Sequence, residues 1–106
     1  MPSTPPTTLD SILNTRVVIE QPAHGHGYRF NVDSLRLAEF VALEHPRITT
    51  LVDLGTGTGV VALCVIELAQ VAKAILIDID PGICEIARRN IDRLRLGDQA
   101  QVINQD

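Results

Sequence analysis

Three glycines at alternate positions, Gly55, Gly57 and Gly59, constrain this chain more than any other feature. They follow the apolar run Thr50-Leu51-Val52-Asp53-Leu54 and precede Val60-Val61-Ala62-Leu63-Cys64-Val65-Ile66. A short β-branched run, a glycine-rich turn and an apolar helix in immediate succession predict the opening of a nucleotide-binding α/β unit. A chain that leaves a strand and turns straight into a helix needs positive φ and close backbone approach, which a Cβ obstructs. The turn then offers peptide N–H groups and a helix N-terminus to a ligand. Asp53 stands two residues before the first glycine, at the carboxyl end of the strand, and suits a cationic or amine-bearing ligand better than a bare pyrophosphate.

The rest of the chain reads as further pieces of the same unit. With 106 residues, 45% hydrophobic and 21% charged, a single globular domain is expected. Thirteen acids against nine bases, a net charge of −4, speak against a general nucleic-acid or anionic-membrane coat. No apolar run approaches the ~20 residues of a membrane span, and the start Met-Pro-Ser-Thr-Pro-Pro is no signal peptide. Cys64 and Cys84 read as small buried hydrophobes, which fits a reducing, cytoplasmic setting.

Residues 1–14 are expected to be a flexible lead-in with a helical turn over Leu9–Asn14. Residues 15–46 are expected to form a hairpin, Thr15–Gln21 against Tyr28–Phe30, and then a helix to Glu44 stopped by Pro46. His24 and His26 read as a solvated turn, with no metal ligands at suitable spacing. Residues 50–106 supply strand, helix, strand, helix, strand. The helix after the glycines, Gly59 to Gln70, has a core stripe of Val61, Cys64, Val65 and Leu68, leaving Leu63 and Ile66 on a second apolar face. Ala72–Asp80 is the second strand, and Asp78 follows Gly59 by 19 residues, near the offset at which an acid meets a ribose hydroxyl pair. Asp80 and Pro81 read as the cap and first residue of a helix to Leu96, stopped by Gly97. Arg88, Arg89, Arg93 and Arg95 are expected on its solvated outer face, and Ala100–Asn104 is the third strand.

Asp53-x-Gly55-x-Gly57-x-Gly59 resembles the first motif of class I S-adenosylmethionine-dependent methyltransferases. The string Gly27-Tyr28-Arg29-Phe30-Asn31-Val32-Asp33-Ser34-Leu35-Arg36-Leu37-Ala38, preceded by Gln21, is similar to the segment before that motif in one branch of them. That branch holds the bacterial tRNA adenine (exocyclic amine) methyltransferases and the release-factor glutamine methyltransferases. Arg36 stands where leucine is usual. The resemblance implies S-adenosylmethionine as cofactor, with Gly55, Thr56, Gly57 and Gly59 beneath it and Asp53 at its methionine amino end. It further implies Asp78 at the ribose with Ile79 beside it, Asp106 at the adenine amine, and Arg29, Phe30 and Asp33 in the covering segment. Gly57-Thr58-Gly59-Val60-Val61-Ala62 also satisfies Gly-x-Gly-x-x-Ala, so a nicotinamide dinucleotide stays open as the minor alternative.

The implied fold is α/β, a truncated Rossmann-like methyltransferase with a three-stranded parallel sheet in the order 3-2-1, flanking helices, and an N-terminal β-hairpin plus helix. The Asn-Pro-Pro-Tyr-type motif with which the branch grips its target amine does not occur in the sequence, so no catalytic residue is assigned. The expectation is a cofactor half-site from an enzyme acting on RNA or protein, or a non-catalytic binding module. The first strand would stand unpaired at the sheet edge, which predicts a homo-oligomer or a separate subunit covering it, together with Leu63 and Ile66.

Overall fold

The computed structural model describes residues 3–106; Met1 and Pro2, part of the expected lead-in, lie outside the described residues. The sheet that carries the glycine turn is three-stranded and parallel. It is built from β3 (Arg47–Leu54), β4 (Gln70–Asp78) and β5 (Ala100–Asn104) in the order β3-β4-β5, the expected 3-2-1. Leu54 stands opposite Ile77, and Asp78 opposite Asn104, so the carboxyl ends of all three strands share one rim. Helix α2 (Val60–Leu68) crosses from β3 to β4, and α3 (Pro81–Arg93) from β4 to β5. Each strand must hide both faces or one, and the residues follow: Ala74 and Leu76 of β4 are fully buried, whereas β3, at the edge, exposes Val52 and Leu54.

The N-terminal part departs from expectation. Thr7–Ile12 is a strand, β1, and not a helical turn; it pairs antiparallel with β2 (Val17–Pro22) from Thr7↔Pro22 to Ile12↔Val17. Leu13, Asn14 and Thr15 turn the chain in left-handed conformations, φ 54°, 54° and 66°. Because β1 takes the hydrogen-bonding partner of β2, Tyr28–Phe30 forms no strand, and the Phe30 N–H donates to the Gln21 side chain at 3.0 Å instead. Helix α1 (Val32–Glu44) begins where Asn31 caps it, accepting from the N–H groups of Asp33 and Ser34.

Two helices are buried differently from the predicted stripes. On α2, Val60, Ala62, Leu63, Cys64 and Val65 are all buried, because the helix lies between the sheet on one side and α1 with β2 on the other. Leu63 is therefore covered within the chain, and Ile66 packs partly against the same core. On α3, the helix ends at Arg93, with Arg95 in the left-handed position at φ 58°; Gly97, expected to stop it, has no positive φ. Arg89 and Arg93 keep part of their surface in solvent but also reach back to Glu20 of β2, which the sequence does not announce. Among the described residues, no helix is long and apolar enough to cross a membrane.

Candidate functional site

At the carboxyl rim of the sheet the chain from Gly55 to Gly59 makes a tight turn, and its three glycines have φ of 69°, 61° and 90°. The turn is tied to the end of β4: the Thr56 N–H donates to the Ile77 carbonyl at 2.9 Å, and the Gly57 N–H to Asp78 Oδ2 at 2.9 Å. Asp78 Oδ1 accepts from the Asp80 N–H at 3.0 Å. A carboxylate has about four acceptor positions, so with two taken each oxygen keeps one for a hydroxyl. Asp53 accepts from Thr56 Oγ1 at 2.8 Å. Burial pushes its carboxyl above the usual range and the Asp78 charge adds to this, against the opposing hydrogen bonds from Thr56 and the Ala62 N–H.

A cavity of about 590 Å³ opens over this turn, within the range of small-ligand sites. Its floor is Gly55, Thr56, Gly57 and Thr58, with Val60 and Val61 of α2. Asp78, Asp80, Gly82 and Ile83 form one side; His26, Gly27, Tyr28, Phe30 and Ser34 form the other, and Ser3 and Pro5 contribute at the N-terminal end. Asp80 is held as the cap of α3, accepting from the N–H groups of Gly82 and Ile83. The lining therefore holds three carboxylates, Asp53, Asp78 and Asp80, and among the described residues no lysine or arginine. Such a wall disfavours a bare phosphate and favours a ligand that brings a positive charge and hydroxyl donors.

Of the residues predicted from sequence, Phe30, Asp53, Gly55, Thr56, Gly57 and Asp78 line this cavity. The others stand elsewhere for identifiable reasons. Arg29 is spent on structure: its Nη1 donates to the Pro22 carbonyl at 2.7 Å and to Thr8 Oγ1 at 3.0 Å, and Nη2 lies 3.5 Å from Asp10. Asp33 is exposed in the first turn of α1, where it complements the helix dipole, and Ser34 faces the cavity in its place. Gly59 lies beneath the turn, buried against Leu76 and Leu63. Ile79 is 64% exposed, and Asp106 is exposed beyond the end of β5; neither lines the cavity.

The sequence reading missed the residues that carry the site from behind. Asn90 of α3 is fully buried and holds both the hairpin and the turn: its Nδ2 donates to the carbonyls of Glu20 and Thr58, each at 2.9 Å. Glu20 is gripped by Arg89 at 2.7 Å and Arg93 at 3.1 Å. Gln21, next to it, holds the Phe30 backbone on one end and Asp10 on the other, at 2.8 Å. An asparagine in the otherwise apolar stripe Ile83, Ile86, Ala87, Ile91 was the available signal for Asn90.

The family model of the ribosomal protein L11 methyltransferase (PrmA) matches residues 33–106, more than half of the chain. No curated protein matches. Among solved structures, Pyrococcus horikoshii TYW2 in complex with MeSAdo is 19% identical with a TM-score of 0.74, covering 94% of this chain and 36% of that one. The M. capricolum TrmK in complex with S-adenosyl-homocysteine is 18% identical, with a TM-score of 0.63 over 74% of this chain and 33% of that one. Arabidopsis thaliana protein arginine methyltransferase 10 is 24% identical, with a TM-score of 0.56 over 68% of this chain and 20% of that one. At these identities the structures establish the fold alone, and the chain spans about a third or less of their length. The matched stretch takes in the glycine turn, Asp53, Asp78 and the whole parallel sheet, and the chain belongs to the ribosomal protein L11 methyltransferase (PrmA) family.

Proposed function

We propose that the chain is the S-adenosylmethionine-binding half of a methyltransferase whose acceptor is an amine nitrogen. One observation carries the reading: a cavity over a glycine turn, lined by Asp53, Asp78 and Asp80 and, among the described residues, by no lysine or arginine. S-adenosylmethionine brings a sulfonium, an ammonium and a ribose diol to such a wall, and supplies an activated methyl group when bound. Asp53 would hold the ammonium, Asp78 the diol, and Phe30, Val61 and Ile83 the apolar parts. A nicotinamide dinucleotide brings a pyrophosphate to the same carboxylates and is repelled. The resemblance of the Gly27–Ala38 string favours an adenine exocyclic amine or a glutamine carboxamide as acceptor.

Methyl transfer also needs the acceptor held in line with the sulfonium carbon, and the sequence has no Asn-Pro-Pro-Tyr-type motif to hold it. That observation supports a second reading, in which this chain by itself binds the cofactor without catalysis. The rest of the fold, which the longer neighbours carry, is assigned to the open edge of β3 and the apolar side of α1. There Val52, Leu54, Leu37, Phe40 and Leu43 are 50–82% exposed. Without that half, an unpaired apolar edge self-associates. A well-behaved monomer in sedimentation at millimolar concentration would count heavily against this assignment.

Isothermal titration tests the cofactor reading. S-adenosylmethionine and S-adenosyl-homocysteine are expected to bind, NAD not to bind, and Asp78→Asn to weaken both about tenfold or more. NAD binding, or indifference to the Asp78 substitution, refutes it.

A further inference from the structure

We infer that Asn90 is a positioning residue for the glycine turn and couples it to the N-terminal hairpin. The inference rests on the cofactor reading only for its binding consequence. Asn90 lies on α3, does not line the cavity, and is nevertheless, among the described residues, the one side chain that bonds the backbone of both the floor and the hairpin behind it. Its carboxamide is used to the full. Nδ2 donates to the carbonyls of Thr58 and Glu20 at 2.9 Å, and Oδ1 accepts from the Glu20 N–H at 2.7 Å and from Arg93 Nη1 at 2.9 Å. The four partners also fix which end is oxygen, since the opposite orientation would set donors against donors. Toward Glu20 the side chain acts as one more peptide group, exchanging a donor and an acceptor as a neighbouring strand would.

The bond to Thr58 has a different consequence. Thr58 stands between Gly57 and Gly59, the two glycines at φ 61° and 90°, where the backbone is least constrained by its own side chains. The Thr56 and Gly57 N–H groups are fixed to β4, as described above; in the second half of the turn the Gly59 N–H donates to the Thr56 carbonyl at 3.0 Å, the Gly59 carbonyl accepts from Leu63 of the helix at 2.9 Å, and the Thr58 carbonyl is held by this tether to Asn90. With the Thr58 carbonyl held, the floor keeps its shape before a ligand arrives, and binding does not have to order it. A change in the hairpin at Glu20 reaches the floor through one side chain.

Three measurements on the full chain decide this. In the wild-type protein the side-chain amide protons of Asn90 are expected to exchange with solvent far more slowly than those of the exposed Asn14. In Asn90→Ser the backbone 15N relaxation of Gly57, Thr58 and Gly59 is expected to report a loosened turn, and S-adenosyl-homocysteine to bind about tenfold more weakly. Arg89→Gln loses a contact to the same Glu20 but leaves all four bonds of Asn90 in place, and is expected to stay within about twofold. Equal weakening in the two variants, an unaltered turn in Asn90→Ser, or fast exchange of the wild-type amide overturns the inference. If Asn90→Ser does not fold, the wild-type exchange decides alone. If the wild-type chain binds no S-adenosyl-homocysteine, the cofactor reading fails, while the relaxation data still judge Asn90.

Discussion

Replacing Gly59 by alanine separates the two uses of glycine in the turn. Gly59 has φ 90° and ψ 8°, a conformation that strains a residue with a side chain by about 1–3 kcal/mol. An added Cβ would lie 2.9 Å from Leu76 Cδ2 and 3.4 Å from Leu63 Cδ1. A leucine methyl can normally swing away, but Leu76 and Leu63 are 0% and 1% exposed, so the shift must propagate into the core at about 1 kcal/mol or more. The lost entropy of the unfolded chain returns about 0.4–1 kcal/mol. The net loss is about 2–3 kcal/mol, out of roughly 5–15 kcal/mol expected for a domain of this size. Urea unfolding is the assay, and with a slope of about 2 kcal/mol per molar the midpoint falls by about 1–1.5 M. Gly57→Ala is the contrast: φ is 61°, no atom lies within 4 Å of the added Cβ, and the strain alone is about 1–2 kcal/mol. Its methyl group grows on the cavity floor, so it should harm cofactor binding more than stability. Gly97→Ala, with open space and no positive φ, should be neutral. A Gly59→Ala loss under about 1 kcal/mol, or equal losses at Gly57 and Gly59, would refute the reasoning.

The charged groups give further expectations. Asp53→Asn should raise the melting temperature of the free protein near neutral pH while weakening cofactor binding. Burial, with the Asp78 charge, holds the folded pKa of Asp53 above its unfolded value, so its ionised form penalises the fold above that pKa, and the difference from the Asn variant should close as pH falls below it. Glu20 is the opposite case. Burial would raise its pKa, yet the hydrogen bonds from Thr7 and Arg93 and the Arg89 charge bring it below the ordinary glutamate value. Its stabilisation is present above that ordinary value and is lost as pH falls through the folded pKa, so urea midpoints of wild type and Glu20→Gln should differ at pH 7 and converge in acid. Burial pushes the Cys64 thiol up to about 12, and a disulfide exchange reagent at pH 8 should leave it untouched until urea unfolds the chain.

What could be read from sequence was local. The glycine turn between Leu54 and Val60 needs its residue types within a few positions, and so does the Asp80-Pro81 cap, so both follow from spacing. The Ala100–Asn104 strand was bounded by its own apolar run. What failed involves partners far apart in the chain. Thr7–Ile12 looks too polar for a strand until Val17–Pro22 is laid beside it, because only the pairing satisfies its backbone. Arg89 and Arg93 look like solvated ends of a helix, and they become clamps only because Glu20, some 70 residues earlier, is carried beneath them. Arg29 was assigned to the cavity from its place in a motif, but a motif records which residues occur together and not which way each side chain turns.

The hairpin has a use that its position before the nucleotide-binding unit does not announce. Adjacent residues of β2 hold opposite parts of the cavity: Gln21 accepts from the Phe30 N–H and so sets the covering wall, while Glu20 is bound to Asn90, which holds the Thr58 carbonyl of the floor. Gln21 acts through its side chain, whereas Glu20 acts through the backbone N–H and carbonyl at the edge of the strand. One strand can therefore brace two walls at once, and a slip of one residue in the β1–β2 register would exchange Glu20 and Gln21 and break both braces. The two glycine-turn tethers, Asp78 from the sheet and Asn90 from the helix, then act on successive parts of the same turn. Removing residues 3–22, of which only Ser3 and Pro5 line the cavity, should consequently loosen Phe30 and the floor together. Amide exchange that rises at Phe30 and at Thr58–Gly59 in such a truncation would bear this out; a floor as protected as in the full chain would refute it.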